Sequence, residues 1–266
     1  MSTRYSLLLA LLACCVTACG GGGARVMKQS DRVPITSGAL AQASDARLRA
    51  SLDWVIVRNG PGSWARNAEW DEFVFHFSNA SSEPVNISSV AVVDSLGMAL
   101  SSSAARKKLI AGSRNTVRRY RRSDLKVSAG LGSATLVAAG AAMTVVGVGA
   151  AVSTATASLM GGAGVAAGSA AAMSALMLAG PAFAVVGVVR AVRNSHVSKE
   201  IGTRQAAWPI ALGASEDREV HLFFPLAPSP QRVEISYSDA AGVHALSIDT
   251  RHALAGLHLG QEPGSR

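Results

Sequence analysis

The chain has 266 residues, 49% of them hydrophobic but only 5% aromatic, with 25 basic against 17 acidic side chains and a formal net charge of +8. All three cysteines, Cys14, Cys15 and Cys19, stand near the N-terminus, which leaves the rest of the chain without a disulfide, a zinc-thiolate site or a thiol nucleophile. The charge is just as local: Arg106, Lys107, Lys108, Arg114, Arg118, Arg119, Arg121, Arg122 and Lys126 are opposed within 106–126 only by Asp124, so this basic segment carries the whole net charge and the rest of the chain is neutral.

In chain order, Met1 to Ala18 has one basic residue, Arg4, then an apolar run from Leu7 to Ala13 and then small residues, the layout of a secretory signal. It ends in Val16-Thr17-Ala18-Cys19, followed by four glycines. These residues resemble the lipobox of bacterial lipoproteins, over about the first twenty positions. The resemblance implies removal of 1–18, lipidation of Cys19 and, with Gly20 rather than Asp after the cysteine, an outer-membrane lipoprotein facing the periplasm. Leu11-Leu12-Ala13-Cys14 is a poorer second match, because cleavage there would cut into the apolar run. Residues 19–50 then read as an acylated N-terminus and a flexible tether.

Next come strand-like runs, Leu52 to Asn59, Asp71 to Asn79 and Asn86 to Asp94, with Phe73, Phe75 and Phe77 alternating with Val74 and His76. Turn residues separate them. Past the basic segment, Val127 to Val189 contains no Asp, Glu, Lys, Arg or His and is nearly half Gly and Ala. One membrane crossing needs about 20 apolar residues, so this run has the length of a helical hairpin turning at Gly161 to Gly164, with Pro181 expected to kink its second arm. Small residues recur every four positions, which lets helix backbones approach: Gly140 and Thr144, Gly147, Ala151 and Ala155, then Gly164, Gly168 and Ala172. The segment resembles the glycine-zipper segments of bacterial membrane and envelope proteins. Arg190 and Arg193 follow it, so bases flank both ends, and these together with the nine of 106–126 are expected to contact anionic lipid headgroups.

Alternation resumes at Val220, Leu222 and Phe224, at Val233, Ile235 and Tyr237, and from Val243 to Ile248. Each flank has too few strands for its own core. Together, 51–105 and 204–252 have the size of one immunoglobulin-like antiparallel β-sandwich, an α+β chain interrupted by the 127–189 hairpin and closed by a 253–266 tail.

Motifs of catalysis are missing: there is no H-E-x-x-H, G-x-S-x-G or Walker loop, and the six histidines are dispersed. Asp71, Glu72, Glu216, Asp217 and Glu219 read as turn and strand-edge solubilisers. The expectation is a non-enzymatic envelope protein without cofactor or metal. Its partners are expected to be membrane lipids and either further copies of itself or an envelope protein, with no nucleic acid and no small-molecule substrate. In that reading the sandwich binds the partner and the hairpin inserts or self-associates. The alternative is an oligomeric helical pore of a secretion or toxin system.

Overall fold

The computed structural model describes residues 24–27, 38–132, 136–138, 141–143 and 194–260. In chain order its elements are β1 (Arg25–Val26), β2 (Ala41–Ser44), β3 (Leu48–Ile56), β4 (Ala65–Arg66), β5 (Asp71–Asn79), β6 (Val85–Val93), β7 (Ala99–Ser101), helix α1 (Arg106–Arg121), β8 (Leu136–Ala138), β9 (Ala141–Met143), a helix α2 described over 194–204, β10 (Ile210–Leu212), β11 (Asp217–Phe224), β12 (Arg232–Asp239) and β13 (Gly242–Asp249).

Period-two hydrophobicity builds two antiparallel sheets. One has the order β11-β5-β3-β2; the other runs β10-β6-β12-β13, with β7 also on β6. Inward residues of five long strands face the partner sheet, alternating except across the register shift in β6: Leu48 and Leu52 from β3, Phe73, Phe75 and Phe77 from β5, Ile87, Val90 and Val92 from β6, Val220, Leu222 and Phe224 from β11, Val233 and Ile235 from β12. All belong to one buried cluster. The β5 phenylalanines stack along the strand, with ring centroids 6.2 Å and 5.6 Å apart. The fold is therefore β-rich, antiparallel and of the α+β class, and strands from both sides of the basic segment share each sheet.

The way the sheet edge is broken decides where the rest of the chain sits. Ser101 of β7 pairs with Ala91 of β6, and Ile210 of β10 pairs with Ile87, both antiparallel on β6. The two short strands run in the same direction along one edge, as two pieces of a single edge strand. In sequence, 102–209 is the insertion between these two pieces. A second, smaller cluster lies outside the four-stranded sheet, where Leu109 of α1 and Val197 and Ile201 of α2 pack with Phe223, Trp64 and Trp70. Ala24, beside the β1–β4 pair, joins the same cluster.

The transmembrane hairpin expected from the sequence is corrected. Among the described residues no helix is long and apolar enough to cross a membrane. Where the expected hairpin enters the described residues it is not helical: 127–132 is a bridge followed by bends and a turn, and β8 pairs β9 from Leu136↔Met143 to Ala138↔Ala141. Glycine is among the weakest helix formers, and Ala and Gly contribute little to insertion, so a charge-free run of this composition lacks the drive of a leucine-rich span. The resemblance to a lipoprotein carrying a transmembrane glycine-zipper hairpin accordingly does not stand. Cys19 and the packing positions Gly140, Thr144, Gly147, Ala151, Ala155, Gly164, Gly168 and Ala172 lie outside the described residues.

Candidate functional site

The basic segment folds as α1, a helix whose buried stripe is Leu109, Ser113, Thr116 and Tyr120. That stripe is half polar, and beyond the apolar packing of Leu109 it meets the body through specific hydrogen bonds. Ser113 Oγ donates to the Glu69 carbonyl at 2.6 Å and accepts from the Leu226 amide at 3.0 Å. Ser95 Oγ lies 2.8 Å from the Tyr120 hydroxyl, which donates to the Pro228 carbonyl at 3.3 Å. Arg119 Nη2 donates at 3.0 Å to Asp94 Oδ2, whose residue is fully buried. Gly112 lies so close to Pro225 that a Cβ there would stand 2.6 Å from Cγ of the ring.

Docking along that stripe turns the opposite face to solvent. Lys107, Lys108, Arg114, Arg118, Arg121 and Arg122 are exposed on it, and Lys126 is exposed beyond the C-cap. Arg106 and Arg119 are half-buried, and Arg119 is committed to Asp94. Arg114 Nε lies 3.8 Å from Glu69, a loose and largely exposed pair. Arg190 and Arg193 lie outside the described residues. The structure therefore gathers six of the expected lipid-contacting bases onto one face and assigns another, Arg119, to holding the helix.

This arrangement works against the helix. No acidic residue stands in the first turn, where Arg106, Lys107 and Lys108 face the positive end of the macrodipole. The pairs Arg114/Arg118 and Arg118/Arg122 are like charges at i,i+4, each destabilising by about 0.2–0.5 kcal/mol. Only Arg118, Arg119 and Arg121, in the last turn, suit the dipole.

After α1 the chain is clasped by its own C-terminal segment. Val127 bridges Leu259, the Ser128 amide donates to the His258 carbonyl, and the Gly260 amide donates to the Lys126 carbonyl. His258, at φ 63°, is fully buried, with Nε2 2.7 Å from Asp71 Oδ2 and Nδ1 3.0 Å from the Ser128 carbonyl. Both ring nitrogens meet acceptors, an arrangement that favours an imidazolium donating twice. Burial alone would lower its pKa. The Asp71 charge and hydrogen bond and the carbonyls of Gly130 and Ser128 outweigh that and raise it.

The other end of the excursion is held by a second buried carboxylate. Glu72 accepts from Trp64 Nε1 at 2.5 Å and lies 2.7 Å from His221 Nδ1 and 3.7 Å from Arg204 Nη1 of α2. The Arg204 guanidinium also stacks 4.9 Å from the centroid of the Trp64 ring. The Glu72 hydrogen bond raises the pKa of His221 against the opposing pull of burial. Its Nε2 faces Glu219 at 3.2 Å, so both nitrogens are engaged with carboxylates. Asp71 and Glu72 are thus not strand-edge solubilisers; each is a buried anion that fixes one end of the excursion. Adjacent acids opening a strand look alike in sequence whether they cap it or anchor distant cations, and the cations here come from residues 204, 221 and 258.

Comparison of the chain with protein-family models, curated proteins and solved structures gives no match.

Proposed function

We propose that the protein is a non-catalytic interaction module of the cell envelope that settles on an anionic lipid surface through the exposed face of α1. The observation that carries this reading is the self-repulsion of that face. Bases that weaken their own helix are useful where an outside anion neutralises them. About 1 kcal/mol per base is gained near an anionic leaflet, which exceeds the internal cost. The envelope location is read from the n-region and apolar run of Met1 to Ala18. We read the body as an immunoglobulin-like sandwich, since β3, β5 and β11 lie in one sheet and β7/β10, β6, β12 and β13 in the other, with β11 and β12 on opposite sheets. Such a body serves as a rigid support for the helix and for the residues that follow it.

Co-sedimentation of the full chain with vesicles tests the reading. Binding is expected to phosphatidylcholine vesicles containing phosphatidylglycerol, to fall as salt shortens the Debye length, and to be weak on phosphatidylcholine alone. Replacing Arg114, Arg118, Arg121 and Arg122 by Gln removes about 4 kcal/mol, close to a thousandfold in partitioning. Equal binding to both vesicle types, or a four-base variant that binds like the wild type, would refute it.

A further inference from the structure

We infer that the protein enters the headgroup layer at one defined point, an apolar tip made of Leu96, Met98 and Leu125, beside the net-basic end of α1. The inference rests on the anionic-surface reading and adds to it which part of the protein penetrates.

Large apolar side chains left exposed among the described residues include Leu96 at 43%, Met98 at 47% and Leu125 at 36%. Hydrogen bonds tie the backbone at each of the three to one turn of α1, at Leu96 and Met98 through Asp94 and at Leu125 directly. Asp94, held by Arg119, accepts the amides of Leu96 and Met98 at 3.0 and 2.9 Å, and the Gly97 amide donates to the Asp94 carbonyl. Gly97, at φ 77°, lets the turn close. Ser95 is bonded to the hydroxyl of Tyr120, and the Leu125 amide donates to the Tyr120 carbonyl at 3.0 Å. The turn after β6 and the residue past α1 are thus locked to neighbouring residues of one helical turn, and their apolar side chains are held in water.

On the last turn of α1 and just past it, the chain that carries Leu125 exposes four bases, Arg118, Arg121, Arg122 and Lys126, against one exposed acid, Asp124. A few apolar side chains beside a net-basic helix end match the interface of an anionic bilayer, where apolar groups sink below the headgroups and long basic side chains reach the phosphates. Three side chains are too few for the buried centre of a protein interface, which covers about 800 Å² per partner. The charge beside them selects an anionic surface.

Position-specific labelling tests this in the full chain with Cys14, Cys15 and Cys19 replaced by Ser. An environment-sensitive fluorophore is placed at Met98→Cys or, as the distant reference, at Val243→Cys. Val243 is 81% exposed, and β13 begins at the end of β12 remote from Val93 and the 94–97 turn. With phosphatidylglycerol-containing vesicles, the label at 98 is expected to shift blue and to be quenched by brominated acyl chains, while the label at 243 does neither. Leu96→Ser with Leu125→Ser is expected to weaken vesicle binding by about tenfold or more, with an unchanged unfolding midpoint. Bound protein whose label at 98 stays in water, or a response equal at 98 and 243, overturns the inference and leaves the electrostatic reading standing. Failure of the wild-type chain to bind anionic vesicles overturns both.

Discussion

Replacing His258 by Asn tests whether the buried imidazolium holds the chain after α1 to the body. Asn tolerates the left-handed backbone at this position, so the perturbation is confined to the side chain. It removes the cation 2.7 Å from Asp71 and leaves a fully buried carboxylate whose Oδ1 already has no hydrogen-bond partner. Breaking a buried pair from one side costs about 3–5 kcal/mol, a large part of the 5–15 kcal/mol typical of a domain. Asp71→Asn should cost less, because His258 can shed its proton, keep Nδ1–H on the Ser128 carbonyl and accept from the new amide. The pH dependence has a definite sign. A histidine pKa raised on folding contributes stability that is complete below its unfolded value of about 6.5 and is lost as pH rises through the folded value. Urea unfolding followed by tryptophan fluorescence from pH 5 to 9 should therefore show a wild-type advantage over Asp71→Asn that shrinks toward alkaline pH. A cost below about 1 kcal/mol for His258→Asn, or an advantage over Asp71→Asn that grows with pH, would refute the doubly donating imidazolium.

Gly112→Ala sets a helix-propensity gain of up to about 1 kcal/mol against overlap with the Pro225 ring, whose overpacking costs about 1–3 kcal/mol, so net destabilisation is expected in thermal unfolding. Glu72→Gln removes the charge that raises the pKa of His221, and an NMR titration should find that pKa moved down from its wild-type value. An unmoved titration would place the cause elsewhere.

The strands were legible because their inner faces are apolar through the middle: the Phe73, Phe75, Phe77 alternation marked Asp71–Asn79 without error at either end. The β3 run was shifted, since the turn signal at Asn59 to Gly62 follows residues that have already left the ladder at Ile56. Helix α1 was legible only as charge. Its buried stripe contains Ser113 and Thr116, which dock by hydrogen bonding or fit and produce no apolar periodicity. Asp71 and Glu72 escaped for a related reason: a buried anion is identified by its cations, and those lie more than a hundred residues away in sequence. The exposed tip at Leu96 and Met98 looked like an ordinary hairpin turn, because exposure is set by what fails to pack against it.

The split edge strand also constrains how the protein is made. Synthesis releases β5 and β6 long before β11 and β12, their principal partners across 102–209. At roughly 5–20 residues per second the delay is on the order of 10 s. Throughout it the β11 edge of β5, with its stacked phenylalanines, and the β12 edge of β6 lack their partners, just as the charge-free run emerges behind them. A nascent chain of this design gains from being shielded until β11 and β12 have appeared, and the length of chain placed in the break of one edge strand sets that wait.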